Sequence, residues 1–471
     1  MKITLILSAE KHDPLRKNDP FMPLSLAILA GTAPEHQYEF IDLLWDDRDI
    51  DFDKPVDVVG ISVRMSAEKR AFALGDEYRK RNVKVIMGGP QASVNPHEAK
   101  QHADAVAIGE GEQLWPVILK DIQNNELKDF YVCSPRPYDS NGNSVYQSDC
   151  LPLLDKTTKP LRHLFKRKYT FDMVYASRGC PINCDFCSVT QLFGSNYRFR
   201  PVQEVVDDIA QFKKYYYLID DTVFGRPNTY GYYSDLYDKI LKLPKINYWI
   251  GQANLDAVSN EKGREVIQKA VKAGLIYTAI GMESIHPDVL KKSGSFNKMG
   301  IKKEEDVIEK MKNNIRFIQQ QGILISGWFT IGYEDDTVDS YYQTWEFCKE
   351  MNVMPVFSPV HALKGTDLHK RLSEAGRLVD LSSNVTNIKN PHMTNEEVME
   401  ALIFVVKKGY SYKQILKRTW FYAKMLRKQK QNSVNDIIHK TIFAIVTQIK
   451  MGNITRNENK RLLNKIRGHG N

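Results

Sequence analysis

Short apolar runs alternate with helical patterns along the first 125 residues of the chain. Runs typical of buried strands read ITLILSA, YEFIDLLW, VDVVGISV, KVIMGGP and AVAIGEGE, and amphipathic stretches such as SAEKRAFALGDEYRKR lie between them. Parallel strands that are separated by helices and buried on both faces form an open, doubly wound sheet. We therefore predict a Rossmann- or flavodoxin-like α/β domain over residues 1–125.

Several small or polar residues stand at the predicted carboxyl ends of these strands, where sheets of this kind bind ligands. They are Ser62, Gly88, Gly89, Gly109 and Glu110. Glycines at strand ends serve plain turns, and they also let the backbone approach a flat or phosphate-bearing ligand closely. We take these five residues as candidates for cofactor binding.

A second alternating series begins near residue 169, after a stretch of turn formers at 126–168 that we interpret as a linker. Its six strand patterns read TFDMVYAS, YYYLIDD, NYWIGQAN, IYTAIGMES, ILISGWFTIG and PVFSPVHAL. Six β/α units predict a partial (β/α)6 barrel over residues 169–378, with its chemistry at the carboxyl ends of the strands. Polar residues at those ends are Asp220, Asp221, Gln252 and Glu283.

After residue 378 the alternation stops, and residues 379–471 are typical of a basic helical extension. Residues 401–471 hold 16 Lys or Arg against 2 Asp or Glu, a charge of +14, so the first 400 residues carry about −5 of the total of +9 (9 − 14). Such a surface suits an anionic lipid, a nucleic acid or an acidic substrate, or it is simply solvated.

The remaining composition excludes several classes of protein. With 42% hydrophobic and 26% charged residues, the chain resembles a globular protein with a large core. No apolar run approaches the roughly 20 residues of a membrane span. The first residues, MKITLILSAEKHD, fit a strand better than a signal peptide. We therefore expect a cytoplasmic protein.

Three of the six cysteines fall within eight residues, in the segment SRGCPINCDFCSV that follows the first predicted barrel strand. They are Cys180, Cys184 and Cys187, spaced C-x3-C-x2-C. Thiolates on a short loop can converge on zinc or on an iron–sulfur cluster. A structural zinc usually takes four ligands, and no histidine stands nearby, whereas three thiolates can hold a [4Fe-4S] cluster with one iron left open. A structural zinc and three unrelated buried cysteines are the alternatives.

This spacing, with Phe186 before the last cysteine, resembles the signature of the radical S-adenosylmethionine (SAM) superfamily. The resemblance covers residues 169–377 and implies that the three cysteines ligate a [4Fe-4S] cluster whose open iron binds SAM. Reduction then cleaves SAM to methionine and a 5′-deoxyadenosyl radical. By position, the resemblance implies roles in binding SAM for a set of further residues. They are Phe186, Asp220, Asp221, Glu283, Gly327 and Gly332.

The order of the two domains resembles class B radical SAM enzymes, in which a cobalamin-binding domain precedes the barrel. The resemblance implies cobalamin at the edge formed by Gly88, Gly89 and the segment DAVAIGEGE. The chain lacks the Asp-x-His-x-x-Gly segment that ligates cobalt in other cobalamin proteins, and Arg64 is a bulky charge near the expected ligand face. The helical extension is similar to that of the branch with hopanoid methylases, which implies a small or lipid-like substrate.

The leading hypothesis is a cobalamin-dependent radical SAM methyltransferase that acts on an unactivated carbon, with ferredoxin or flavodoxin as electron donor and a possible peripheral membrane contact through the basic extension. One alternative is a cobalamin-independent radical SAM enzyme that forms C–C bonds or oxidises a lipid-like substrate. Another is a non-catalytic nucleic-acid-binding protein with a structural metal, although nucleic acid is the less expected partner.

Overall fold

The structure, a computed structural model, describes residues 1–46, 50–134, 154, 158–213, 215–300, 306–380 and 384–467. The amino-terminal domain is a parallel sheet with helices on both faces, as predicted. Its strands are β1 (Lys2–Leu7), β2 (Gln37–Asp42), β3 (Val58–Ser62), β4 (Lys84–Gly88), β5 (Ala105–Gly109) and β6 (Phe130–Cys133), and its helices are α1 (Leu24–Thr32), α2 (Glu68–Arg79), α3 (Pro90–Val94), α4 (Pro96–Gln101) and α5 (Leu114–Asn124).

The strand order in this sheet is β2-β1-β3-β4-β5-β6, with every pair parallel. The order reverses between β1 and β3, and ligands bind at such a switch point. Apolar cores fill both faces, with Leu26 and Trp115 on one and Phe72 and Tyr78 on the other. Strand β6 lies in the predicted linker, so the sheet continues past residue 125. Most of the linker, at 135–153 and 155–157, lies outside the described residues.

The second domain is the predicted open barrel, a sheet of six parallel strands in the order β14-β13-β12-β11-β10-β7. Its strands are β7 (Phe171–Val174), β10 (Tyr215–Leu218), β11 (Trp249–Ala253), β12 (Leu275–Glu283), β13 (Leu324–Ile331) and β14 (Met354–Pro359). A short antiparallel pair that the sequence did not predict, β8 (Ser177–Arg178) and β9 (Arg198–Phe199), follows the first strand.

Helices cover the outside of the barrel sheet. They are α6 (Val189–Phe193), α7 (Val202–Ala210), α8 (Tyr230–Ile240), α9 (Glu261–Lys272), α10 (Pro287–Lys292), α11 (Val307–Gln320), α12 (Val338–Met351) and α13 (Asp367–Glu374). Local sequence fixes where several of them begin, because a side-chain acceptor satisfies the first free amides. Asn260 caps α9 in this way, and Asp306 caps α11.

Three helices form the carboxyl-terminal extension: α14 (Asn395–Gly409), α15 (Tyr412–Lys428) and α16 (Val434–Ile466). The inner faces of α15 and α16 pack against residues at or near the first positions of the barrel strands. Tyr422, Leu426 and Ala444 meet Phe171 and Leu324 there. These two helices therefore close the amino end of the barrel and leave the carboxyl end for chemistry. Within the described part of the chain, no helix has both the length and the apolar composition to cross a bilayer.

Candidate active site

The three cysteines lie on a loop between β8 and α6, at the carboxyl end of β7. The loop is fixed at its base, where the Cys180 amide donates to the Gly194 carbonyl at 3.1 Å. Gly179 has a φ of +95°, and a Cβ there would stand 2.2 Å from the Asn196 carbonyl oxygen, so only glycine fits. The backbone thus holds the loop in one place.

Burial makes the cysteine thiols poor acids on their own. It raises the pKa of Cys180 to about 11 and that of Cys184 to about 12. Ionisation of these thiols therefore needs positive charge nearby, which bound iron supplies. Among the described residues, no three His, Cys, Asp or Glu side chains lie close enough together to bind a single metal ion. In a four-iron cube each thiolate binds a separate iron, so the cube does not require that grouping.

Asp220 is fully buried and its carboxylate is occupied by the protein. It accepts hydrogen bonds from the Ala176 amide at 2.7 Å, the Ser177 hydroxyl at 2.8 Å and the Tyr233 hydroxyl at 2.7 Å. Because Ala176 and Ser177 lead into the cysteine loop, Asp220 ties β10 to the start of that loop. These contacts assign Asp220 a positioning role, and a contact of its carboxylate with SAM stays a prediction.

Asp221, Glu283 and Lys298 surround the cysteines with charge. Lys298 donates to Glu283 Oε1 at 2.7 Å and lies 5.8 Å from the ring centroid of Phe186. Burial opposes its charge, but Glu283 and the neighbouring cysteines hold the pKa of Lys298 above its ordinary value. Burial, and then the charge of Asp220, raise the pKa of Asp221 to about 7. The three side chains form a charged wall that faces the sulfur atoms.

The backbone of Glu283 is itself unusual. Its φ is +56°, a left-handed conformation that a glutamate adopts at a cost of about 1–3 kcal/mol. A register shift between β12 and β13 falls at this residue, and Thr330 donates to Glu283 Oε2 at 2.7 Å. The surrounding contacts therefore force one orientation on the Glu283 carboxylate. Residues held this way are concentrated at functional sites.

The remaining candidate residues of the barrel divide into two groups. The half-buried ring of Phe186 lies beside the cysteines, 6.1 Å from the ring of Tyr333, and Gln252 is exposed towards the barrel interior, where it contacts Tyr217. The two glycines have explanations within the protein. A Cβ on Gly327 would meet core atoms of Met282, Phe329 and Val353 at 2.9–3.0 Å.

Gly332 has a φ of +102°, and its amide donates to Asp336 at 2.9 Å in a turn. Neither glycine therefore needs an adenine ring to account for it. Both stay predictions as SAM contacts.

An ion-pair cluster joins the two domains beside the cysteine loop. Glu110, at the end of β5, is buried and accepts from Arg178 of β8 at 2.5 Å and from Arg198 of β9. Arg178 also donates to Glu112 at 2.5 Å. Both oxygens of Glu110 are therefore occupied. Its carboxylate fixes the sheet edge against the cysteine loop, and a role for Glu110 in binding a cofactor stays a prediction.

Residues 174–339 match the family model described as the radical SAM superfamily, and they contain the cysteine loop and its charged wall. The chain contains a radical SAM domain. The family brings a [4Fe-4S] cluster and SAM, and it makes the chain an enzyme. The hypothesis of a non-catalytic nucleic-acid-binding protein is therefore wrong. Residues 366–466 match a second model, a domain of unknown function named DUF4070.

Relatives of this radical SAM enzyme include named methyltransferases. Bacteriochlorophyllide d C-8(2)-methyltransferase of Chlorobaculum tepidum is 27% identical over 425 residues, which cover 86% of this chain and 89% of the relative. Hopanoid C-2 methylase of Rhodopseudomonas palustris is 22% identical over 53% of this chain and 47% of the methylase. Among solved structures, the cobalamin-dependent SAM radical enzyme OxsB with aqua-cobalamin bound superposes with a TM-score of 0.66 at 16% identity, over 99% of this chain and 83% of OxsB. That likeness shows that this chain shares the fold of OxsB.

The glycine edge of the amino-terminal sheet has room that the protein does not fill. A Cβ on Gly88 would make only ordinary contacts, at 3.5 Å or more, with Ala107. Gly89 has a φ of +91°, and the Ser62 hydroxyl would stand 3.0 Å from a Cβ there. Gly109 has a φ of +88°, with the Cys133 carbonyl against its α-carbon. Two of the three glycines are thus explained by backbone geometry, whereas a Cβ on Gly88 would be tolerated, so no packing within the protein requires a glycine there.

Arg64 is engaged by contacts within the protein. Its guanidinium donates to Asp13 at 2.9 Å, and its backbone amide donates to the Ser8 hydroxyl at 3.1 Å. The positive charge of Arg64, which we expected to be unfavourable beside a ligand at this edge, is therefore paired with Asp13.

Sequence reasoning missed several residues of the site. Lys298 follows no strand pattern, and it reaches the cysteines from a 3-10 turn, Ser295–Lys298. Arg178 was visible beside the cysteines, but only the fold shows that Glu110 is its partner. Trp328 is 40% exposed and shares a face of β13 with Thr330, which contacts Glu283. Its ring therefore lies in the barrel interior, on the same side as the charged wall.

Proposed function

We propose that this radical SAM enzyme is a cobalamin-dependent methyltransferase that acts on an unactivated carbon of a small or lipid-like substrate. The observation that carries the proposal is the ion-pair cluster of Glu110, Glu112, Arg178 and Arg198. It brings the ligand-binding edge of the amino-terminal sheet against the cysteine loop of the barrel. Two cofactors bound at these edges would therefore face one cavity.

Cys180, Cys184 and Cys187 would hold the cluster, and the charged wall would orient SAM. The Asp221 carboxylate lies beside the cysteines and would accept a hydrogen bond from the SAM amino group. Among the described residues no hydrogen bond restrains this carboxylate, in contrast to that of Asp220. The Lys298 ammonium lies beside the cysteines, and its positive charge favours the thiolate form of their side chains. Phe186 and Gln252 border the same space. When bound, the cluster and SAM supply a radical, and the residues position them and exclude water.

Cobalamin would lie at the edge formed by Ser62, Gly88 and Gly89. The space beside Gly88 and the pairing of Arg64 with Asp13 support this placement. When bound, cobalamin supplies a methyl group to carbon. The chain's part is to hold the cofactor by backbone contact, because the segment that would ligate cobalt from below is absent from the sequence.

The substrate would contact Trp328. The indole Nε1–H donates to the Ser326 hydroxyl at 2.9 Å, and that hydroxyl is 2.6 Å from the Tyr277 hydroxyl. The edge of the indole is thus anchored while its face is open to the cavity. An anchored aromatic face binds a flat or apolar group at little entropic cost. This fits an apolar substrate, such as the pigment and lipid named for the relatives.

The test begins with the content of iron, sulfide and cobalamin in protein isolated without oxygen. The enzyme should bind about one cobalamin per chain and transfer a labelled methyl group from SAM to an apolar extract. Gly88→Val should lose cobalamin because its side chain would prevent close approach of the cofactor to the backbone, while iron and SAM cleavage persist. Gly231→Ala is the control, because nothing lies within 4 Å of a Cβ there.

The second candidate, a radical SAM enzyme without cobalamin, predicts instead that hydroxocobalamin is not retained and that Gly88→Val changes nothing. Such a result would overturn the methyltransferase proposal and leave the radical step intact. Ferredoxin or flavodoxin as donor, the cytoplasmic location and the membrane contact of the basic extension stay predictions.

A further inference from the structure

The outer side of α15 and α16 exposes an unusual number of large apolar side chains. Eight of the fourteen exposed large apolar residues among those the structure describes belong to these two helices. We call this set the apolar face. Its members are Tyr412, Leu416, Trp420, Val434, Ile438, Ile442, Val446 and Ile449. A concentration of this kind marks an interaction surface, whereas isolated exposed apolar residues are ordinary.

The spacing shows that the apolar face is one side of each helix. Leu416 and Trp420 are four residues apart on α15, and Ile438 and Ile442 are four apart on α16, so each pair shares a stripe. The opposite stripes carry the buried residues that close the amino end of the barrel, such as Leu426. Each helix is therefore apolar on two sides, of which the protein covers one.

The two helices pack against each other. Gln448 of α16 accepts from Arg418 Nε at 2.7 Å and donates to the Thr419 hydroxyl at 3.0 Å, both on α15. These polar side chains are buried, whereas Trp420 and Ile449, their neighbours in sequence, are exposed. The contact between the helices therefore leaves the apolar face uncovered.

Exposed cations accompany the apolar face. Lys413, Lys417 and Lys424 alternate with its residues along α15, and the Lys424 ammonium lies 5.5 Å from the Trp420 ring centroid. Residues 401–471 carry +14, with only Asp436 and Glu458 as acids. Two copies of this chain packed through the face would bring these charges together, which is unfavourable. A partner with negative charge and an apolar interior is complementary to it.

We propose that the apolar face docks this enzyme on the surface of an anionic lipid bilayer. Aliphatic residues would enter the boundary of headgroups and acyl chains, Trp420 and Tyr412 would lie at the interface, and the lysines would meet lipid phosphates. Because the inner sides of these helices cover the amino end of the barrel, the docked enzyme would hold the cysteine loop away from the bilayer, open to an electron donor.

The full chain, isolated without oxygen, is sedimented with vesicles of phosphatidylcholine alone or mixed with phosphatidylglycerol. Binding is expected to the mixed vesicles and to weaken with salt. The doubly substituted variant Leu416→Glu, Ile442→Glu should partition at least about tenfold less, because charge on the face opposes insertion. Val117→Glu is the control, since Val117 is 47% exposed on α5 and lies outside the face.

Both substituted residues are more than half exposed, at 64% for Leu416 and 55% for Ile442, so folding should be preserved. Iron content and SAM cleavage in solution, measured for each variant, check this and are expected to equal those of the parent. No binding to mixed vesicles, or equal binding by the doubly substituted variant, overturns the proposal. So does a parent that is a dimer in solution and becomes monomeric on the double substitution, because the face would then join two copies.

Discussion

The carboxyl ends of the barrel strands carry buried charged groups, whereas the amino ends carry aromatic and aliphatic side chains covered by α15 and α16. At the carboxyl end Glu283 takes a left-handed backbone to reach Lys298, and Asp220 collects three hydrogen-bond donors. At the amino end Phe171 and Leu324 simply pack against Tyr422 and Leu426. The amino end stabilises the fold by burying apolar area. The carboxyl end keeps costly buried charges, which is typical of a site that binds cofactors.

The largest effect expected is at the carboxyl end. Cys184→Ala should abolish iron binding and reductive cleavage of SAM, because the cluster would lose one of its three cysteine ligands. Iron and sulfide analysis with product chromatography measures both. Cys348→Ala is the matched control, since Cys348 is equally buried but lies on α12, away from the loop. Cleavage by the Cys184 variant would contradict the proposed ligand set.

A substitution at the amino end should affect stability and spare the chemistry. Leu426→Ala removes a fully buried side chain and should lower the free energy of unfolding by about 2–5 kcal/mol. Leu416→Ala on the exposed side of the same helix should change it by less than about 0.5 kcal/mol. Denaturant unfolding measures both variants. Iron lost from folded Leu426→Ala protein would show that the two ends are coupled.

The joint between the domains should respond to loss of one charge. Glu110→Gln leaves Arg178 and Arg198 without their buried partner, and breaking such a pair costs roughly 3–5 kcal/mol. We expect lower thermal stability and at least tenfold weaker retention of cobalamin, with SAM cleavage largely kept. Glu112→Gln, whose side chain is 20% exposed and forms an ion pair with Arg178, should have the smaller effect. If the two variants have equal effects, Glu110 is not the residue that chiefly holds the two domains together.

The amino end also holds Asp19, a half-buried acid whose titration can be followed. Burial chiefly raises the pKa of Asp19 to about 6, against the hydrogen bond from the Phe21 amide. Because the folded state holds this proton more tightly than the unfolded state, the contribution of Asp19 to stability is fully present below pH about 4 and is lost as pH rises through about 6. Asp19→Asn should therefore gain about 1–3 kcal/mol at pH 7 and nothing at pH 4. Unfolding curves at both values test the sign, and a loss of stability at pH 7 would refute it.

The smallest effect expected concerns the cavity wall. Trp328→Ala should raise KM for the methyl acceptor by about tenfold, with kcat little changed, because an aromatic contact is worth about 0.5–1.5 kcal/mol. Trp328→Phe should restore most of the affinity. If both variants lower kcat and leave KM unchanged, Trp328 acts on the reaction geometry and not on binding.

Periodicity was a good guide to the sheets and a poor guide to individual side chains. The strand patterns from ITLILSA to PVFSPVHAL all became strands, because apolar runs separated by helices have few other ways to bury themselves. The position of a residue along a strand did not reveal which side chains it contacts. Asp220 and Asp221 are neighbours in sequence, yet Asp220 is used by Ala176, Ser177 and Tyr233 while Asp221 faces the cysteines. Gly327 matches a SAM-contact position by resemblance, and only the structure shows that a Cβ there would meet core side chains.

The sequence by itself determined the two parallel sheets, the cysteine loop and the basic extension, since each rests on residues close together in the chain. Only the tertiary structure decided which charges meet. Glu110 and Arg178 are 68 residues apart, and Glu283 meets Lys298 from a different turn. It also decided that one side of α15 and α16 is covered and the other is not. Pairing and exposure depend on distances in space, which a pattern along the chain does not contain.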